Sequence, residues 1–428
     1  MSPKRKKKKS QEKDIIVGLD VGTTKICAIV ARPKEDNNVD IIGLGMAPSE
    51  GLHRGIVVNP AKTTESIKAA LADAELNSGV DIDSVVVGIA GHHIRCIQTS
   101  SIVGINNPER IIEQEDIDRL FESAKLLKLP SDTKIIDVIP QEYIIDGKDG
   151  IFQTPIGVFG VRLEAKVNII TGLVSSIDDL SKCVESCGVE LDDIVLEPMA
   201  SSYSVLNDTE KKVGVVMIDI GGGTSDIAVF KKGVLRYTAG IGIAGNLVTN
   251  DIVESLGISE KEAERIKKEF GYAYLNEILN DDEIIVESIS RNIPKKTRKS
   301  ILARIIQARM QDIFELAAIE IRNSQIYDQL HAGVVITGGG SLVKGTKELA
   351  EEILNMDVNL GIPTGLSGGL IKEVESPIFA TGVGLILHKI KVLNESDYIH
   401  NTVAGHKRRQ TMNPKSILQK IKSWFDNL

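Results

Sequence analysis

Asp14-Ile15-Ile16-Val17-Gly18-Leu19-Asp20-Val21-Gly22-Thr23-Thr24-Lys25-Ile26-Cys27-Ala28-Ile29-Val30 reads as strand, tight turn, strand: an apolar run, a small and polar turn opened by an aspartate, and a second apolar run. The pattern returns 199 residues later. There Val213 to Ile218 leads into Asp219-Ile220-Gly221-Gly222-Gly223-Thr224-Ser225-Asp226, and Ile227 to Phe230 follows. One copy in each half of the chain predicts an α/β fold with two similar lobes facing each other across the turns.

Glycine in such a turn lets the backbone come close to a ligand and leaves amide N–H groups uncovered, which is what phosphate oxygens require. A single turn of this kind is equally a plain β-hairpin; two matched copies with leading aspartates point to phosphate binding. On that reading Gly22, Thr23, Thr24, Gly221, Gly222, Gly223 and Thr224 line the phosphates, and Lys25 reaches a terminal one. Asp20 and Asp219 hold Mg2+ through its waters, and Asp219 also orients an attacking water. Neither turn is a GxxxxGK[ST] loop or a dinucleotide fingerprint. A third cluster, Gly338-Gly339-Gly340-Ser341, closes an apolar strand from Gly333 to Thr337 and suits a flat base lying on backbone. Glu264 and Lys267, three apart on a helix, are placed to bond ribose hydroxyls, although alone they read as a solvated ion pair. Together these residues predict ATP with Mg2+ as the ligand.

Between the copies, Ser84 to Ile89 and Lys166 to Leu173 read as strands, and Ser66 to Glu75 and Gln114 to Leu127 as helices. Asn246 to Leu256, Ser259 to Gly271, Ile301 to Ser324 and Thr346 to Leu354 read as helices of the second half. His92 and His93 lack ligand-spaced partners and read as surface or interface residues. Cys183 and Cys187 read as small buried groups on a helix.

The chain has 428 residues and is 42% hydrophobic, enough for a large core in more than one domain. Its net charge of −8 is unevenly spread: the first 13 residues carry +6 and the last 22 carry +5, leaving −19 for the body. An acidic body argues against nucleic acid as a partner, and the basic ends suit an anionic membrane face, the arm Lys4 to Lys9 also being explicable as a solvated tail. Four cysteines form neither a disulfide framework nor a zinc pattern, which suits a reducing cytoplasm. No signal-peptide core follows the basic arm, and no segment has the roughly 18 apolar residues of a spanning helix.

Residues 399–413 lose apolar periodicity and read as a linker. After Pro414, Ile417, Leu418, Ile421, Trp424, Phe425 and Leu428 fall on one arc of roughly 120° at about 100° per residue. Such a helix packs on the body or lies in a membrane interface, and the linker before it favours the membrane.

The two phosphate hairpins, the third glycine cluster, and the segments Glu197-Pro198-Met199-Ala200-Ser201 and Ala380-Thr381-Gly382-Val383-Gly384 resemble the actin, hexokinase and DnaK-type chaperone superfamily. Within it the chain is most similar to the FtsA family of bacterial division proteins. Val138-Ile139-Pro140-Gln141-Glu142-Tyr143 and the stretch Gly160 to Lys166 are similar to the subdomain particular to that family. The resemblance implies a first lobe at 14–210 with this subdomain at about 92–168, and a second lobe at 211–398 with an insertion at about 271–327. It also implies polymerisation like actin, a terminal membrane-targeting helix, other division-ring partners, and binding of the C-terminal peptide of the tubulin-like ring protein FtsZ. That peptide would dock around Ser288 to Leu302, on Arg291, Pro294, Lys295 and Arg298. Glu197 stands where actin has its catalytic glutamine, as in the MreB-like branch, which implies slow hydrolysis or none. The implied place is the cytoplasmic face of the cell membrane at the division septum, as a peripheral protein. Two other functions stay open on the residues alone: a small-molecule kinase of this superfamily, and an actin-like pilus-assembly protein.

Overall fold

A computed structural model describes residues 15–34, 38–151, 155–287 and 294–394. The linker and the terminal apolar helix, with Ile417, Leu418, Ile421, Trp424, Phe425 and Leu428, lie outside them, as do Arg291 and the basic arm.

The first lobe opens with β1 (Ile16–Val21), β2 (Lys25–Pro33) and β3 (Val39–Pro48), then α1 (Pro60–Ser78) and β4 (Ser84–Ile89). β1 to β3 form an antiparallel meander, and β1 runs parallel to β4. Every residue of β1 is buried, as expected of a central strand covered on both faces. Asn59 caps α1 by accepting from the Lys62 N–H, Pro60 starts the helix, and Gly79 ends it at φ 71°.

Next comes a four-stranded antiparallel sheet built from β5 (Arg95–Gly104), β6 (Thr133–Ile145), β7 (Lys148–Ile151) and β8 (Arg162–Leu173), in the order β5-β8-β6-β7. α2 (Gln114–Lys125) packs Ile117 and Leu120 onto it, against Leu163, Val167 and Ile169. The chain then returns to the first sheet through α3 (Val174–Glu185) and β9 (Glu190–Leu196), which is parallel to β4.

α4 (Glu197–Val205) and α5 (Asp208–Val213) lead into the second lobe. The second-copy strand starts at Val215 rather than Val213, because the Asn207–Glu210 capping box extends a helix to Val213 and Gly214, at φ 105°, turns the chain. β10 (Val215–Ile220), β11 (Ser225–Lys231) and β12 (Val234–Ile241) repeat the meander. α6 (Gly245–Leu256) and α7 (Glu260–Phe270) follow, then a two-stranded ribbon of β13 (Glu283–Glu287) and β14 (Pro294–Arg298). The long α8 (Lys299–Asn323) leads to β15 (Val334–Thr337), α9 (Thr346–Leu354) and β16 (Val358–Leu360). β15 is parallel to β10 and β16 to β15, so the second sheet repeats the first, strand for strand, over five strands.

A final helix over 380–394 crosses α4 at the base of the cleft. Ser204 Oγ donates to Ala380 O at 2.7 Å, and the hydroxyls of Ser201 and Thr381 lie 3.0 Å apart. A Cβ on Gly384 would stand 1.9 Å from Ala200 O, so only glycine allows this crossing. Gly384→Ala is therefore expected to lower stability by about 1–3 kcal/mol, the usual cost of overpacking, read as a lower thermal midpoint.

Candidate functional site

The two aspartate-glycine turns meet tip to tip. In both, the leading aspartate pairs across the hairpin with the residue seven positions on, Asp20 with Cys27 and Asp219 with Asp226. A Cβ on Gly222 would lie 1.9 Å from Thr24 Oγ1, and one on Gly223 would lie 2.5 Å from Thr23 Oγ1, so the triple glycine is what lets the turns touch. Thr24 Oγ1 also donates to Asn246 Oδ1 across the cleft at 3.1 Å. The N-terminus of α6 sits against the second turn, with the amides of Gly245 and Asn246 donating to Gly221 O and Gly222 O. That brings the positive end of the helix dipole to the cleft.

Under the turns lies a cavity of about 780 Å³ between the lobes, within the 300–1,000 Å³ usual for ligand sites. Asp20, Gly22, Thr23, Thr24, Lys25, Gly221, Gly222, Gly223, Thr224, Glu264, Lys267, Gly338, Gly339, Gly340, Glu197 and Asp219 all line it, though they come from five separate parts of the sequence. Ser341 does not. Its hydroxyl turns inward and donates to Gly338 O at 2.6 Å, holding the glycine turn in shape. Gly338 has φ 80°, and a Cβ there would meet Asp219 Oδ1 at 2.2 Å, so the third cluster abuts the second aspartate.

The floor is acidic. Burial first, then Asp20, Asp226 and Asp219, raise the pKa of Glu197 well above the carboxylate range, with Lys25 opposing. Burial likewise lifts Asp219 to about 6, despite a 2.9 Å hydrogen bond from Ser201 Oγ, and lifts Asp226 to about 7, with Asp219 adding to it. Lys25 Nζ stands 3.2 Å from Asp20 Oδ2; burial disfavours its charge, but Asp20 more than compensates and its pKa is raised. Gly88 clears the space for Glu197, since a Cβ there would approach Glu197 Cγ to 2.7 Å.

On the far wall Lys267 Nζ donates to Gly245 O at 3.1 Å and Thr249 Oγ1 at 2.7 Å, and it pairs with Glu264 at 2.6 Å. Burial opposes the charge of Glu264, yet Lys267, Thr249 and Lys268 hold its pKa at about 2. The pair is thus an ordered polar ledge rather than a solvated bridge: all three donors of Lys267 are engaged, and the Glu264 carboxylate is what it offers to a sugar hydroxyl.

Three contributors escaped the sequence reading: Asp226, Gly88 and Asn246. Asp226 follows the second turn, but the corresponding place in the first copy is Cys27, so the comparison of copies gave no carboxylate to match.

Among the described residues no three His, Cys, Asp or Glu side chains converge tightly enough to cage a metal unaided. Magnesium rarely asks for that: it keeps several waters and takes one or two carboxylates together with phosphate oxygens. Asp20 and Asp219, on opposite hairpins, fit that mode, and a divalent cation would also offset carboxylates that now repel one another.

The described part of the ribbon β13–β14 exposes Pro294, Lys295 and Arg298. It is not a bare basic patch. Lys296 pairs with Glu283 at 2.8 Å, Arg298 faces Asp281 at 3.6 Å, and Lys295 Nζ donates to Leu256 O at 3.4 Å.

The raised pKa of Asp226 has a signed consequence. Folding raises it from 3.8 to about 7, so the folded state binds more protons and this group weakens stability increasingly as pH climbs from about 4 to above 7. Asp226→Asn, whose amide oxygen still accepts from Thr224, is expected to stabilise the nucleotide-free chain by on the order of 2–4 kcal/mol at pH 8. The gain should fade toward pH 4, as followed by denaturant unfolding at several pH values.

Residues 216–384 match the family model described as "Cell division protein FtsA", and residues 91–171 match that of the "SHS2 domain inserted in FTSA". The cell division protein FtsA of Pseudomonas aeruginosa is 40% identical over 97% of this chain and 98% of its own length. That of Escherichia coli K12 is 35% identical over 97% and 99%. Among solved structures, a PilM–PilN type IV pilus biogenesis complex aligns with TM-score 0.63 at 15% identity, over 88% of this chain and 98% of that one. MreB5 of Spiroplasma citri, solved bound to ADP, aligns with TM-score 0.56 at 15% identity, over 90% and 99%. These distant likenesses establish the actin-like fold, while the close and nearly full-length relatives decide against a kinase or a pilus protein: the chain belongs to the FtsA family of bacterial cell division proteins.

Proposed function

We propose that this division protein binds ATP with Mg2+ in the interlobe cavity, assembles into actin-like filaments, and ties FtsZ filaments of the division ring to the cytoplasmic face of the membrane at the septum. The observation that carries the nucleotide reading is the pair of glycine turns meeting over one cavity, with Lys25 and the start of α6 on its phosphate side and the Glu264–Lys267 ledge on its sugar side. Asp20 and Asp219 would hold the magnesium waters. Bound magnesium supplies charge neutralisation to the phosphates. Burial and its acidic neighbours push the pKa of Glu197 up, which favours the uncharged acid, so its service as a base for water depends on how far a bound cation would bring that pKa down. That dependence supports slow hydrolysis or none.

The membrane part rests on the amphipathic segment 414–428. Among the described residues no helix is long and apolar enough to cross a membrane. A single interfacial helix of about four turns binds weakly, and a filament would multiply it by avidity. The FtsZ peptide is placed on the β13–β14 ribbon, where Pro294, Lys295 and Arg298 sit beside the exposed Ile285. Ion pairs with Asp281 and Glu283 reduce the free positive charge there, so the apolar contact carries more of the affinity than charge does.

Gly222→Val should abolish binding of ATP in isothermal titration while leaving the circular dichroism spectrum intact, because its side chain would fill the contact with Thr24; undiminished affinity would refute the site. In flotation with anionic liposomes, the full chain should rise with the vesicles, more so with Mg-ATP, and a chain ending before Asn413 should stay behind. Equal flotation of both would move the anchor to the basic N-terminal arm.

A further inference from the structure

β12 is the edge strand of the second sheet, with one row of backbone groups left unpaired by the ladder. The inserted sheet of the first lobe covers that edge with side chains rather than with a further strand. Gln141 Nε2 donates to Leu235 O at 2.6 Å, and Asn168 Nδ2 donates to Leu235 O at 3.1 Å and to Arg236 O at 2.9 Å. Arg236 Nη1 donates back to Gln141 Oε1 at 3.4 Å. Both amide side chains are 1% exposed. At the end of the strand a Cβ on Gly240 would lie 2.7 Å from Gly91 O, so the two backbones touch.

This seam runs into the cavity, since the same Cβ position on Gly240 that lies 2.7 Å from Gly91 O lies 3.1 Å from Asp226 Oδ1, and the Gly91 backbone favours the charged form of that carboxylate. Gly91 therefore touches the second lobe at two points, one structural and one in the cavity. The seam is also incompletely satisfied. Among the described residues five buried side-chain polar atoms have no hydrogen-bond partner, and two of them, Asn168 Oδ1 and the Nε2 of His93 beside Gly91, lie here. Asn168 Oδ1 is an unpaired acceptor, and His93 Nε2 is an unpaired donor because Nδ1 accepts from the Leu173 N–H; both gain water when the surfaces part.

We propose that the inserted subdomain is a clamp across the lobes: Gln141 and Asn168 hold β12, and the lobes separate enough to exchange nucleotide only when this seam lets go. The proposal rests on the nucleotide reading for its functional meaning, but not for its mechanics.

Two measurements on the full chain test it, using Gln141→Leu/Asn168→Leu and the milder Asn168→Ala. First, a fluorescent ATP analogue loaded with Mg2+ is chased with unlabelled ATP. Release from the double variant should be about tenfold faster, the factor that losing one or two ordinary hydrogen bonds yields, with the single variant between it and wild type. Tight binding with unchanged release overturns the clamp. Second, amide hydrogen exchange is followed without nucleotide. The clamp predicts faster exchange in both Val234–Ile241 and the remote turn Gly221–Asp226 of the variants; acceleration confined to Val234–Ile241 means a merely local contact and overturns it. Failure of the wild type to bind the analogue would refute the nucleotide reading instead, and the exchange result would still decide the clamp.

Discussion

Four carboxylates, from Asp20, Glu197, Asp219 and Asp226, are crowded into one water-poor cleft with Lys25 as the cation set against them, and much of the molecule is arranged around that imbalance. Burial of several like charges raises their pKa values, Asp219 to about 6 and Asp226 to about 7, with Glu197 pushed up in the same direction by burial and by its acidic neighbours. A cation among these carboxylates would offset their mutual repulsion. On the proposed reading a magnesium-bound polyphosphate would bring the cation, and the glycine turns would accept the phosphate through backbone rather than through further positive side chains.

The two lobes can present matching turns because the same meander is built twice and joined at a narrow base. Gly384 against Ala200 and the hydroxyls of Ser201, Ser204 and Thr381 bring α4 and the last helix together with almost no side chain between them. Ser201 also reaches Asp219, so the crossing and the cavity floor share a residue. A hinge motion of one lobe on the other would thereby be concentrated at a few small residues, with each sheet, apolar on both faces, carried as a unit.

The inserted sheet adds a second connection at the opposite end of the cavity, through Gly91, Gln141 and Asn168. A cleft joined at two places cannot open about one of them alone. Its seam carries the unpaired Asn168 Oδ1 and His93 Nε2, and on the clamp proposal it is the place where rigidity would be exchanged for movement.

How much of this could be read in the chain follows from how local each feature is. The turns, the adjoining strands and the helix starts were legible because apolar runs, glycines and capping residues lie within a few positions of one another, and backbone sterics act at that range. The duplication told that two such turns exist, and resemblance supplied the role of Glu197. Tertiary structure alone decided that Asp226 joins the cavity, because its cross-hairpin position is Cys27 in the first copy and nothing local distinguishes it. The same holds for Ser341, whose hydroxyl is spent within its own turn, and for Gln141 and Asn168, polar residues whose strands gave no sign that they face another lobe. Pairing of charges on the ribbon was equally hidden, since Lys296 and Arg298 meet Glu283 and Asp281 only when the hairpin closes. Sequence determines what each segment can form; burial, electrostatic neighbours and close backbone approach come from segments hundreds of residues apart, and those are set only when the chain has folded.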